Sequence, residues 1–203
     1  MADTIKSVIV FFSTGKDSIV LLDICYKYIR RVEVIFLYLI PNLIYKNKLL
    51  NLYEKRYNIK IHQFPQYDIS KILKIHSLNN DNIKVIKQRD IENYCRNEFN
   101  IEYCAYGYKL VDSVFRGGIL NDKNCINGIN QREKRIYPLM RWNNKDIMLY
   151  IKNNKLPLSF EYDYGFRDIN IFKGASLEFI RRKSPLDYQK IINFYPFLQY
   201  ERK

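Results

Sequence analysis

Residues 8–28, VIVFFSTGKDSIVLLDICYKY, constrain the fold more than any other stretch of the chain. The apolar run through Phe12, rich in β-branched residues, reads as a buried strand. Val20, Leu21, Ile24, Cys25 and Tyr28 then recur at three- and four-residue steps, the spacing of a helix packed on a sheet. Only Ser13-Thr14-Gly15-Lys16-Asp17-Ser18 separates the two. Small, flexible and charged residues at such a junction suit a held phosphate, so the stretch constrains chemistry as well as fold.

The pattern continues. Residues 32–40 form a second apolar strand ended by Pro41-Asn42, residues 43–57 return to helical spacing, and 59–64 make a third short strand. This order argues for a parallel sheet with helices on both faces. In 65–100, ISKILKI and DIENYCRNEF are both expected as helices with polar SLNNDN as a loop between them. A fourth strand over Tyr103–Tyr106, a helix over Leu110–Leu120 and a fifth strand or extended loop at Ile136–Leu139 follow. Asn143, with Asp146 three residues on, has the residues of a capping box, and Ser184-Pro185-x-Asp187 opens the last helix. The expected architecture is α/β: one domain spanning residues 1–203, with a parallel five-stranded sheet. Its core covers about 6–166, and a helical C-terminal region covers about 167–203.

The loop is not a Walker motif: that motif needs Gly where Val10 stands and Ser or Thr where Asp17 stands. It remains a short turn into a helix whose free N–H groups and positive dipole end attract an anion. Gly15 is expected to allow close approach or positive φ. Ser13, Thr14 and Ser18 supply hydroxyl donors, and Lys16 a compact charge. Asp17 is unusual beside a phosphate; it either caps the helix or helps to hold Mg²⁺.

Composition narrows the classes. No apolar stretch approaches the ~20 residues of a membrane span, and the N-terminus lacks the form of a signal peptide, so a cytoplasmic protein is expected. Cys25, Cys95, Cys104 and Cys125 form no C-x-x-C pair, and the histidines are only His62 and His76, so neither zinc nor an iron–sulfur cluster is expected. The thiols read as reduced and mostly buried. The formal charge of +13 suits a nucleotide or nucleic-acid partner, although the Lys-, Asn-, Ile- and Tyr-rich bias of an AT-rich genome accounts for part of it.

Three ordered segments carry a resemblance. Ser13–Ser18 looks like the S-G-G-K-D-S pyrophosphate-binding loop of the adenine nucleotide α-hydrolase (PP-loop) superfamily. Gly107-Tyr108-Lys109-Leu110-Val111-Asp112-Ser113-Val114-Phe115-Arg116 is similar to G-x-R-x-x-[DE]-S-x-x-R of the phosphoadenosine phosphosulfate (PAPS) reductase family, with Lys109 in place of Arg. Tyr137 to Asp146, Leu156-Pro157 and Tyr162 to Phe166 resemble its P-L-x-x-W-x-x-x-D and L-P-x-x-x-x-Y-x-x-G-[YF] segments. The match covers about residues 6–166 and implies a Rossmann-like nucleotide fold. It implies nucleotide contacts from Ser13, Thr14, Gly15, Lys16, Asp17, Ser18, Gly107, Asp112 and Ser113, and catalytic roles for Lys16, Lys109 and Arg116. Seven residues, about two helical turns, separate Lys109 from Arg116, so one helix face is expected to present both, with Asp112 orienting either. Trp142 reads as packing between sheet and helix.

The departures are chemical. The tail, FYPFLQYERK, has no Glu-Cys-Gly-Leu-His-like nucleophile, RDINIFKG supplies no cluster cysteines, and the second strand ends in Tyr38-Leu39-Ile40-Pro41 instead of Asp-Thr-Gly. Cys104 reads as a core thiol. What remains grips ATP or a close analogue such as PAPS, with Mg²⁺, and lacks the thiolate of sulfur reduction. The leading expectation is ATP cleavage between the α- and β-phosphates with adenylylation of an acceptor, a nucleic acid among the candidates. Reduction of PAPS or APS with an external thiol is one alternative; a nucleotide-sensing protein that binds a protein partner or a second copy without turnover is another. Compact size and AT-rich bias also suit a phage or mobile-element relative, placing it in a host cytoplasm.

Overall fold

The computed structural model describes residues 5–76, 82–166 and 170–200; the expected loop SLNNDN lies, except for Asn82, outside the described residues. The leading segment forms β1 (Ser7–Phe11) and α1 (Lys16–Tyr28), followed by β2 (Arg31–Tyr38), α2 (Ile44–Tyr57), β3 (Ile61–Pro65), α3 (Asp68–His76) and α4 (Gln88–Phe99). Then come β4 (Cys104–Ala105), α5 (Val114–Leu120), β5 (Cys125–Ile126), β6 (Ile129–Asn130), β7 (Arg135–Ile136) and α6 (Asn144–Asn153). A 3₁₀ turn (Phe160–Tyr164), α7 (Gly174–Lys183), α8 (Pro185–Phe194) and a second 3₁₀ turn (Pro196–Gln199) complete the chain. No described helix is long and apolar enough to cross a membrane.

Among the described residues the sheet has seven strands, not five, in the order β3-β2-β1-β4-β7-β6-β5. All pairings from β3 to β7 are parallel, whereas β5–β6 and β6–β7 are antiparallel, so the sheet is mixed. The chain winds outward through β2 and β3, then crosses back to place β4 against the other side of β1. The crevice outside the carboxyl ends of β1 and β4 is therefore the topological switch point, where ligands of open α/β sheets bind.

Strand alternation divides the core. Val8, Val10, Val34, Phe36, Ala105 and Ile136 face a layer containing α1, α2 and α6. Ile9, Ile35, Cys104 and Tyr137 face the opposite layer with Cys95 of α4 and Leu120 of α5. A third cluster joins Ile40 and Leu43 after β2 to Leu177, Ile180, Ile191 and Tyr195 of the C-terminal region. That region also caps the start of α2. Leu43 cannot cap, and the fully buried Asp187 accepts the Ile44 and Tyr45 N–H groups at 2.7 and 3.1 Å from across the chain. Ser184 starts α8 without capping a backbone N–H, because its hydroxyl donates to Asp187 instead, at 2.7 Å. Asn143 makes the expected capping box with Asp146, and Trp142 packs on the core edge-on to Tyr150.

Candidate functional site

The loop after β1 turns at Thr14, not at Gly15. Thr14 has φ 65°, whereas Gly15 caps α1 in extended conformation at φ −78°. A β-branched residue in the left-handed region is strained, and Thr14 is held there from outside the loop. Its Oγ1 accepts a hydrogen bond at 2.8 Å from Lys46 Nζ of α2, which also pairs with the buried Glu161 at 3.2 Å. The Ser159 hydroxyl donates to the other carboxylate oxygen of Glu161. Within the loop, the Ser13 N–H donates to Ser18 Oγ at 3.2 Å, and Ser18 Oγ donates to the Gly15 carbonyl at 2.9 Å.

Charge alternates along the crevice. Lys16 Nζ lies 2.7 Å from Asp17 Oδ2, and Lys109 Nζ lies 2.7 Å from Asp17 Oδ1 and from Asp112 Oδ1. Arg116 pairs with Asp112 Oδ2 at 2.9 Å and lays its guanidinium over the Tyr108 ring at 4.7 Å. Three cations thus alternate with two carboxylates, leaving a surplus of one positive charge. Burial pushes the Asp112 carboxyl up, but hydrogen bonds from the Lys109 side chain and backbone and from Arg116 outweigh it and hold Asp112 below the usual value. Gly107 lets the segment after β4 approach α1: a Cβ there would stand 3.3 Å from the Asp17 carbonyl carbon and oxygen.

Several expectations change. Lys109 and Arg116 do not share a helix: Lys109 precedes α5, because residues 109–112 form a turn. In it the Asp112 N–H donates to the Lys109 carbonyl, and the Lys109 N–H to the Asp112 carboxylate. Lys109 is fully buried, acting on Asp17 and Asp112, while Arg116 is the more exposed cation. The two converge through Asp112 all the same. Ser113 caps α5, accepting the Arg116 N–H at 3.2 Å. Asp17 caps nothing. The first N–H of α1 is not free either: Lys16 donates it to the Tyr162 hydroxyl at 3.1 Å. Lys46, Glu161 and Tyr162 were not identified from sequence as site residues. Only Tyr162 carried a signal, as the Tyr of Y-x-x-G.

Asp17 does not present a free carboxylate oxygen to a resident metal. Both Asp17 oxygens face ammonium groups, and among the described residues no three His, Cys, Asp or Glu side chains group as ligands. The cysteines are poor nucleophiles. Burial pushes the Cys25 and Cys104 thiols up to about 12 and Cys95 to about 11, and Cys125 is raised as well. Iodoacetamide at pH 7.5 should therefore leave Cys25, Cys95 and Cys104 unmodified in the folded protein and label all four cysteines in urea, as read by peptide mass spectrometry. Rapid native labelling of Cys104 would overturn this placement.

Comparison with known proteins bears on the family and the fold. The phosphoadenosine phosphosulfate reductase domain matches residues 7–171, which include the loop, Lys109 to Arg116 and Tyr162. No curated protein matches in sequence. The phosphoadenylyl-sulfate reductase of Candida auris, in a phosphate complex, is similar over 83% of this chain and 82% of its own, with 16% identity and a TM-score of 0.56. The U34-tRNA thiolase NcsA of Methanococcus maripaludis, with its [4Fe-4S] cluster, is similar over 96% of this chain and 73% of its own, with 17% identity and a TM-score of 0.53. An NH₃-dependent NAD synthetase of Campylobacter jejuni is similar over 98% of this chain and 86% of its own, with 12% identity and a TM-score of 0.52. At these identities the solved structures establish the fold alone. The domain match covers most of the sequence, and the chain belongs to the phosphoadenosine phosphosulfate reductase domain family.

Proposed function

We propose that the protein binds ATP in the crevice between the Ser13–Ser18 loop and the Gly107–Arg116 segment. It cleaves the nucleotide between the α- and β-phosphates and passes the adenylyl group to an acceptor. The acceptor heteroatom bonds to the α-phosphorus, the bond to the bridging oxygen breaks, and pyrophosphate leaves with the electron pair; the acceptor's proton goes to solvent. Lys16 and the loop hydroxyls hold the leaving pyrophosphate, and Arg116 neutralises charge on the phosphoryl oxygens. Lys109 holds Asp17 and Asp112 in place from beneath. Magnesium belongs to the substrate in this reading, arriving with the triphosphate. A nucleic-acid acceptor suits the +13 charge.

The observation that carries the proposal is the fixed cation series at the switch point, with the Cys25, Cys95 and Cys104 thiols buried. ATP, PAPS and APS, each with Mg²⁺, should be incubated with the protein and candidate acceptors and the products separated by chromatography. AMP or adenylylated acceptor with pyrophosphate from ATP is expected. Lys16→Ala should weaken nucleotide binding about tenfold, the worth of one charged hydrogen bond. Sulfite from PAPS with a thioredoxin-like donor, or tight binding with no product, would overturn adenylyl transfer.

A further inference from the structure

A second feature lies at the opposite end of the strands, by the amino ends of β2 and β3. A cleft of about 760 Å³ opens where α1 ends, β2 begins and α2 turns into β3. Its walls include Tyr26, Lys27, Tyr28, Arg30, Arg31 and Tyr57, over a floor of Ile29, Val32 and Ile59; none of the described residues lining it is acidic. The nucleotide loop sits at the carboxyl end of β1, one strand length or roughly 17 Å away, so this cleft is no part of that site.

Two of the three rings are fixed, buried Tyr57 and half-exposed Tyr26. Tyr57 donates its hydroxyl to buried Asp23 at 2.5 Å, and Tyr26 packs on Tyr57 at 4.6 Å between centroids while donating its hydroxyl to the Tyr57 carbonyl at 2.8 Å. Tyr28 is 67% exposed beside them. Two of the cations are partly neutralised, Lys27 by Asp23 at 2.7 Å and Arg31 by Glu33 at 3.3 Å. Arg30 makes no ion pair among the described residues, and Arg56 lies over the Tyr57 ring at 5.8 Å.

We infer that this cleft binds single-stranded nucleic acid. The exposed rings of Tyr26 and Tyr28 offer stacking surfaces for bases, with Tyr57 buried beneath Tyr26, and interleaved Arg and Lys neutralise the phosphates between them, the two ingredients of sequence-tolerant single-strand binding. An acidic peptide would use the cations and leave the rings idle. A membrane surface would use neither the concavity nor the fixed ring edges. A strand seated here is held away from the nucleotide crevice, so binding needs no ATP and does not depend on the proposed reaction.

The test is fluorescence anisotropy of fluorescein-labelled single-stranded (dT)₂₀ and (rU)₂₀ with the full chain, without nucleotide. Two to three neutralised phosphates predict about tenfold weaker binding at 200 mM than at 50 mM salt. Tyr28→Ala should weaken binding about fivefold or more through lost stacking. Arg30→Ala should lower the salt slope by about 0.7. Both side chains are on the surface, and circular dichroism checks that the variants fold. Wild-type affinity in both variants, no binding at 50 mM salt, or preferential binding of polyglutamate or phosphatidylserine vesicles would overturn the inference.

Discussion

Lys109→Met is expected to destabilise the protein by about 3 kcal/mol and to weaken nucleotide binding about a hundredfold. The ammonium of Lys109 has no exposure and sits 2.7 Å from both Asp17 and Asp112, whose side chains are 27% and 12% exposed. Methionine fills the space but leaves two carboxylates facing each other without their shared cation. Breaking a buried pair costs about 3–5 kcal/mol, and the lower end applies because both acids keep some contact with water. Binding suffers more specifically: Asp17, left with Lys16 as its one cation, draws Lys16 away from the incoming phosphates and lets the first turn of α1 shift. The pH dependence has a definite sign. The folded Asp112 carboxyl lies below its unfolded value of 3.8, so its pairing adds stability above that value, and the stability is lost as pH falls through the folded value. Lys109→Met should flatten this acid limb in urea titrations between pH 5 and pH 2, an interval of about one to two units either side of an ordinary carboxylate. Lys109→Arg keeps the charge in a longer, planar group within a filled space, and should fall between wild type and Lys109→Met. Unchanged urea midpoint and unchanged affinity in Lys109→Met would remove Lys109 from the core of the site.

How far the sequence foretold this arrangement depends on how local each signal was. β1, the loop and α1 were legible because a β-branched run, a six-residue turn and a helical period adjoin. The Lys109 turn was misread as helix because Leu110, Val111 and Val114 look helical; the Asp112 carboxylate competes for the Lys109 N–H and delays α5 to Val114. β5 and β6 span two residues each, too short for alternation to show. The apolar Leu39-Ile40 segment that follows β2 looked only like a missing Asp-Thr-Gly. In the fold it is a docking surface for α7 and α8, and Asp187, more than 140 residues from its partners, completes the start of α2. Pairings at that separation leave no spacing pattern to read.

Lys46→Met should test the least legible part of the site, with an expected loss of about 2–3 kcal/mol and a clear loss of nucleotide affinity. Lys46 does two things through one ammonium group: it neutralises Glu161, whose side chain is 4% exposed, and it holds Thr14 at φ 65° through the 2.8 Å bond to Oγ1. The two roles separate by second substitution. Left-handed backbone costs a β-branched residue roughly 1–3 kcal/mol but costs glycine almost nothing. Thr14→Gly should therefore let the loop keep its shape without Lys46, and the Lys46→Met/Thr14→Gly protein should recover affinity while staying unstable, because Glu161 remains unpaired. Glu161→Gln in the Lys46→Met background should do the reverse, recovering the urea midpoint but not the affinity, since an uncharged amide lifts the burial penalty without reaching Thr14. If Thr14→Gly restores neither property, or if Glu161→Gln restores both, Lys46 supports the fold alone, and the turn at Thr14 is held by the Ser13–Ser18 bonds within the loop.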